Sequence, residues 1–239
     1  MPANFAPSAN DLLRFSPEMI LSVAGTLLMV LDPFFAKRTP RLFGHVSIVA
    51  FITAIFGAIC ANTVPGPAFS NLLIVDGFAT FFRVLVLCVG ILSVLSSYRY
   101  LDREKAETSE YHALLLFSVV GQCLMVASND LIMIFIGLEI SSIASYVLAG
   151  YLRDDKRANE ASLKYFLLGS FATAFFLYGI AWIYGLTGST NLAAIRGALV
   201  SRDLAPSPVL VGFSAALMFV GLGFKVSGAP FQIWAPDVY

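Results

Sequence analysis

The residues that could do chemistry in this chain are few, because most of it is apolar. Lys225 lies in GLGFKVSGAPFQIWAPDVY (221–239), at the end of an apolar run that starts near Val209. Five residues later Pro230 offers no N–H to the carbonyl of Val226, and its ring would clash there, so a helix must break around Ser227-Gly228-Ala229. Glu139 lies in LIMIFIGLEISSIASYVLAGY, eight residues past Leu131 and so roughly 12 Å along a helix. Ser142 and Tyr146 follow at i+3 and i+7, which makes one stripe of that helix polar. An ionisable group inside lipid beside a broken helix points to ion or proton transfer. For Lys225 two effects oppose each other: desolvation favours the amine, and the open carbonyls of a helix end favour the ammonium. A switch of about three pKa units is worth roughly 4 kcal/mol, against about 2.3 kcal/mol for moving one charge across 100 mV. At a separation of about 7 Å and an effective dielectric of 20, a lysine and a glutamate attract by roughly 2.4 kcal/mol, enough to couple their protonation.

Other charges are weaker candidates. Lys164 follows Glu160 at i,i+4, which fits a solvated helix end as well as a functional lysine. Arg83, seven residues after Asp76, is expected to snorkel or to face another subunit, and Glu18 and Asp32 are expected at the interface because they fall near span ends. Gly228 and Pro230 are expected to act structurally, as the break itself.

The elements that must position these residues are membrane helices. The chain is 58% hydrophobic and 13% charged, with 21 phenylalanines, and its mean hydropathy is +0.82, far from the roughly one quarter of charged residues in soluble domains. Apolar runs of spanning length occur near 17–36, 42–62, 76–98, 111–128, 130–151, 162–187 and 208–228. They do not alternate, which excludes a β-barrel and predicts an all-α, polytopic bundle of about seven spans, the seventh broken at Ser227–Pro230. Basic residues in short loops set the orientation. Lys37, Arg38, Arg41, Arg99, Arg103, Lys105, Arg153, Lys156 and Arg157 lie on one side; Arg14, Arg196 and Arg202 lie on the other. The first set marks the cytoplasm, so a multi-pass protein of the cell inner membrane with its N-terminus outside is expected. Thr190–Arg202 has the pattern of a short amphipathic helix on the outer surface, followed by the proline-rich Ala205-Pro206-Ser207-Pro208.

Several classes are excluded. With 15 basic and 15 acidic residues nothing suggests nucleic acid. Cys60, Cys88 and Cys123 stand singly in apolar runs, and His45 and His112 stand at run edges, so neither a metal site nor a disulfide framework is expected. There is no GxGxxG after a strand, no GxxxxGK[ST], and no haem, flavin or iron–sulfur ligand set. Met1–Phe15 lack the basic region of a cleaved leader, so the first span should stay as an anchor. The sequence stops just after Pro236, without a capping polar segment, which suggests a fragment or a half subunit.

The segments EASLKYFLLGSFATAFFLYGIAWIYGLTGST and GLGFKVSGAPFQIWAPDVY, supported by GLEISSIASYVLAGY, strongly resemble the subunit N family of bacterial NADH:quinone oxidoreductase, respiratory complex I. The resemblance runs over essentially the whole chain. It implies fourteen helices in the family, with two inverted repeats of five after three N-terminal helices, so that residues 1–110 hold those three helices and 111–239 hold helices four to seven of an incomplete first repeat. It implies a proton-translocating, antiporter-like translocase subunit in which Glu139 and Lys225 transfer protons, with Lys164 as a secondary candidate. NADH and quinone are then used by the whole complex and no cofactor is bound by this chain; its partners are the lipid bilayer and the other membrane-arm subunits. One departure is Gln232, where the family often has a histidine between Phe231 and Trp234; an amide does not titrate, which puts a relay role there in doubt. The paralogous subunits M and L, and stand-alone cation/proton antiporters, share the lysine and proline break and are the alternative; their motif more often ends WLPDAH-like, whereas this one ends WAPDVY. A scaffold whose internal charges only fix helix packing is the third possibility.

Overall fold

A computed structural model describes residues 6–35, 40–104, 106, 109–201 and 207–238. The loop residues Lys37, Arg38, Lys105 and Arg202, the piece Ala205-Pro206, and Tyr239 lie outside the described residues. Six helices among the described residues are long and apolar enough to cross a bilayer. They coincide with the second to seventh apolar runs, and the first run coincides with the 20-residue helix α2, Ser16–Phe35. Many large apolar side chains, such as Phe56, Phe81 and Phe171, are exposed, as expected of surfaces that meet lipid rather than water. The chain folds as two compact units, 1–128 and 129–239. Helix α5 (Ser109–Ala127) packs with the first unit.

In the first unit, Ser8 caps the short helix α1, Ala9–Arg14, in a reciprocal box with Asp11. Helix α3, Pro40–Ala61, leads into an element that the hydropathy pattern did not disclose, an antiparallel hairpin of β1 (Gly66–Ala68) and β2 (Leu73–Val75). Arg14 fixes that turn by donating to the carbonyls of Val64, Pro65 and Pro67 at 2.9, 3.1 and 2.6 Å. Helix α4, Gly77–Glu104, follows, with Asp76 accepting from the Ala79 N–H at 2.8 Å. Helix α2 packs on α3 and α5, and α4 packs on α3 and α5.

Here the expectation for Glu18 and Arg83 is corrected. Their side chains form a 2.6 Å ion pair, each 0% exposed, and the Arg83 guanidinium also donates to the Arg14 carbonyl at 3.2 Å. Arg83 does not snorkel: its counter-ion lies 65 residues earlier in the chain, and a paired, hydrogen-bonded charge need not reach water. Asp32 likewise has an internal partner, the hydroxyl of Ser109.

In the second unit, Asp130 caps α6 (Leu131–Ala149), accepting from the Ile132 N–H at 2.9 Å and from the Thr190 hydroxyl at 2.7 Å. Helix α7, Lys156–Thr187, is capped by Asp155 and closes on Gly188 with φ +73°. The amphipathic helix expected at 190–202 is α8, Leu192–Val200, capped by Asn191. Helix α9, Pro208–Lys225, lies along α7 at close range. A Cβ on Gly221 would stand 2.5 Å from the Phe176 Cβ and 3.0 Å from the Ala172 carbonyl, the small-residue contact by which membrane helices approach each other. Leu131, Phe176, Ile180, Ile183 and Ile195 make a core beneath that contact.

Candidate functional site

Helix α9 ends at Lys225 as Pro230 requires, and the chain satisfies the broken turn with its own groups. Val226 N–H bonds the Leu222 carbonyl at 3.1 Å, Ser227 N–H that of Phe224 at 3.0 Å, and Gly228 N–H that of Gly223 at 2.9 Å. Ser227 takes φ +53° to make this reversal. The chain then forms a 3-10 turn, Gln232–Trp234, and a final short helix α10, Ala235–Val238. Trp234 folds back under the break: its indole N–H donates to the Phe224 carbonyl at 3.2 Å, and its ring lies on that of Tyr165 at 4.3 Å and 11°. Tyr146, Tyr165, Ala172, Phe224 and Trp234 form one buried cluster.

This cluster aims Lys225 inward. The half-buried side chain puts Nζ 3.0 Å from the Ser142 hydroxyl and 3.5 Å from that of Tyr165, 5.9 Å above the Tyr165 ring. Ser142 is fully buried and sits on the α6 stripe expected to be polar. Its hydroxyl also engages Tyr146. Tyr146 presses on α7, where a Cβ on Gly169 would stand 2.1 Å from the tyrosine oxygen. Glu139 lies one turn before Ser142 on the same helix, within electrostatic reach of both Lys225 and Tyr146. Its Oε1 is buried with no hydrogen-bond partner among the described residues. A carboxyl oxygen without a direct partner inside protein is placed to take up a proton or to hold one through water.

The structure thus brings together Lys225, Ser142, Tyr146 and Glu139, with Gly228 and Pro230 forming the reversal beside them. Lys164 sits elsewhere on α7, 45% exposed, with Nζ 2.8 Å from Glu160 and 2.8 Å from Asp237. Gln232 is exposed on the 3-10 turn. Sequence reasoning did not single out Tyr165; the one available signal was a hydroxyl-bearing aromatic next to Lys164 in an otherwise apolar run. Among the described residues no group of three or more His, Cys, Asp or Glu side chains is placed to hold a metal ion.

Residues 128–239 match the family model described as NADH:quinone oxidoreductase/Mrp antiporter, TM. The chain is 68% identical over 239 residues to NADH-quinone oxidoreductase subunit N 1 of Solibacter usitatus (strain Ellin6076), covering 100% of this chain and 49% of that protein. It is 42% identical over 243 residues to subunit N 2 of Koribacter versatilis (strain Ellin345), covering 98% and 49%. Among solved structures it superposes on a chain of respiratory complex I from Thermus thermophilus with bound aureothin, with a TM-score of 0.75 and 30% identity, covering 93% of this chain and 47% of that one. The chain therefore spans about half the length of the curated relatives it matches. Over its whole length the chain is similar to subunit N of NADH-quinone oxidoreductase, and its second half carries the match to the NADH:quinone oxidoreductase/Mrp antiporter transmembrane family.

Proposed function

We propose that this chain is the proton-translocating part of a subunit N in NADH:quinone oxidoreductase of the cell inner membrane, with its N-terminus outside. Glu139 and Lys225 exchange protonation through Ser142, Tyr165 and intramembrane water. NADH and quinone are handled by partner subunits, and this chain supplies membrane-arm proton transfer without binding a cofactor. The division into three N-terminal helices and a first repeat from residue 111 belongs to the same reading. The observation that carries it is the 3.0 Å contact between Lys225, at the end of a broken helix, and buried Ser142, one turn from Glu139. Inward-facing charge at a discontinuous helix is the usual physics of membrane carriers.

Redox-driven changes in the field at this site would move the proton against the roughly 2.3 kcal/mol that a 100 mV membrane imposes on one charge. The test is Lys225→Ala and Glu139→Gln in the assembled complex, with proton pumping measured in sealed vesicles beside NADH:quinone reductase activity. Both variants should lose most of their pumping, and full pumping in both would overturn the assignment. A stand-alone antiporter is the second reading, because the matching family also covers Mrp antiporters. A cation gradient that drives pH change by the full-length protein alone in liposomes would favour it.

A further inference from the structure

Lys164 and Asp237 form a contact that the proton path does not use. Lys164 is in the third turn of α7 and Asp237 is on α10, after the break, yet their charged atoms lie 2.8 Å apart. Lys164 is next in sequence to Tyr165, and Asp237 is three residues after Trp234. Those neighbours are the two rings stacked at 4.3 Å and 11° beneath Lys225. Tyr165 in turn presents its hydroxyl to the Lys225 amine at 3.5 Å. The ion pair and the ring stack are therefore two adjacent ties between the same two elements, α7 and the segment after the break, which also pack on each other.

We infer that Lys164 is a positioning residue that, through Asp237, docks the segment after the break onto α7, and so holds Tyr165 and the end of α9 in register around Lys225. Lys164 has a second acceptor, Glu160, one turn earlier on its own helix and also at 2.8 Å. Release of Asp237 therefore leaves the lysine paired, which makes the tie cheap to open and close. Lys164 and Asp237 are each 45% exposed, and exposed pairs are individually weak. Its work is to bias the position of a short segment rather than to hold the fold. The charged groups facing Lys164 are Glu160 from α7 and Asp237 from α10.

This inference rests on the proton-transfer reading for its activity test but not for its contact test. The contact test treats the purified complex with a carbodiimide, which condenses a touching amine and carboxylate to an amide with loss of water, followed by peptide mass spectrometry. A Lys164–Asp237 cross-link is expected in the wild type and in Lys225→Ala, and its absence from both overturns the contact. The activity test compares Lys164→Arg, Lys164→Met, Asp237→Asn and the charge swap Lys164→Asp with Asp237→Lys. Arginine keeps the ion pair but does not release its proton. Lys164→Arg should pump like the wild type, Lys164→Met and Asp237→Asn should each fall by about two- to fivefold, as an exposed pair allows, and the swap should recover most of that loss. Loss of pumping in Lys164→Arg equal to that in Lys164→Met would overturn positioning in favour of proton carriage by Lys164. Failure of Lys225→Ala to reduce pumping would sink the proton-transfer reading while the cross-link still decides the contact.

Discussion

Gly221→Ala is the substitution that most directly connects helix packing to the site. The added methyl would stand 2.5 Å from the Phe176 Cβ and 3.0 Å from the Ala172 carbonyl oxygen. Carbon atoms rest at about 3.5–4.0 Å, and neither obstacle is the free end of a flexible side chain. Helices α7 and α9 must therefore move apart by about 1 Å. Overpacking of this kind costs about 1–3 kcal/mol, partly offset by about 0.5–1 kcal/mol from replacing glycine in a helix, which leaves a net loss of up to about 2.5 kcal/mol. Lys225 is four residues further along on the same face of α9, and its partner Tyr165 is on α7. A 1 Å opening takes that 3.5 Å contact beyond hydrogen-bond reach, and a misplacement of this size can cost about a hundredfold in a step that depends on geometry. Gly212 on the same helix is the control, because a Cβ there meets nothing within 4 Å. In sealed vesicles Gly221→Ala should lose at least about tenfold in proton pumping, with a lower midpoint in thermal unfolding of the purified complex. Gly212→Ala should pump like the wild type and melt no lower than it. If the two variants pump and melt alike, the close approach of α7 and α9 does not position Lys225.

The two units make separate predictions. Glu18→Gln leaves the buried Arg83 guanidinium without its counter-ion, at a cost of about 3–5 kcal/mol; subunit abundance in membranes should collapse, and the double variant Glu18→Gln, Arg83→Met should recover much of it. Wild-type abundance of the single variant would show that the pair is not needed. Asp130→Ala removes both the cap on Ile132 and the bond from Thr190, worth about 1–3 kcal/mol; hydrogen exchange should quicken at the start of α6 and in residues 189–192, and Thr190→Val should show a smaller change of the same kind.

What the sequence disclosed follows from the range of the forces involved. The break beside Lys225 was legible because proline acts through covalent geometry on the residues next to it, and the structure ends α9 at Lys225. The stripe of Glu139, Ser142 and Tyr146 was legible because helical period alone puts i, i+3 and i+7 on one face. Long helices were legible from hydropathy, since lipid demands backbone bonds within each segment. The pairs Glu18 with Arg83 and Lys164 with Asp237 were not, since their members are 65 and 73 residues apart and meet through helix packing, which no local pattern encodes. Tyr165 was hidden for a related reason: a tyrosine in an apolar run reads as packing or interface, and its hydroxyl gains a role when α9 brings a lysine to it. The hairpin at 66–75 was hidden because its strands are three residues long and are fixed by Arg14 from another element.

The two lysines of the second unit show why partner type matters more than depth alone. Lys164 is held by two carboxylates, each at 2.8 Å. An ionised carboxylate accepts hydrogen bonds and donates none, so it cannot serve the lone pair of a neutral amine. Lys225 is held by two hydroxyls, those of Ser142 and Tyr165. A hydroxyl accepts from an ammonium and, after rotating, donates to an amine, so both protonation states of Lys225 can stay hydrogen-bonded without any helix moving. The broken turn supports this arrangement, because the carbonyls of Leu222, Gly223 and Phe224 already have N–H partners and do not compete for Nζ. The charge that can bias Lys225 is then Glu139, on the same α6 stripe as Ser142. A group whose contacts tolerate both states, within electrostatic reach of a carboxyl whose buried Oε1 has no hydrogen-bond partner among the described residues, is suited to reversible proton transfer.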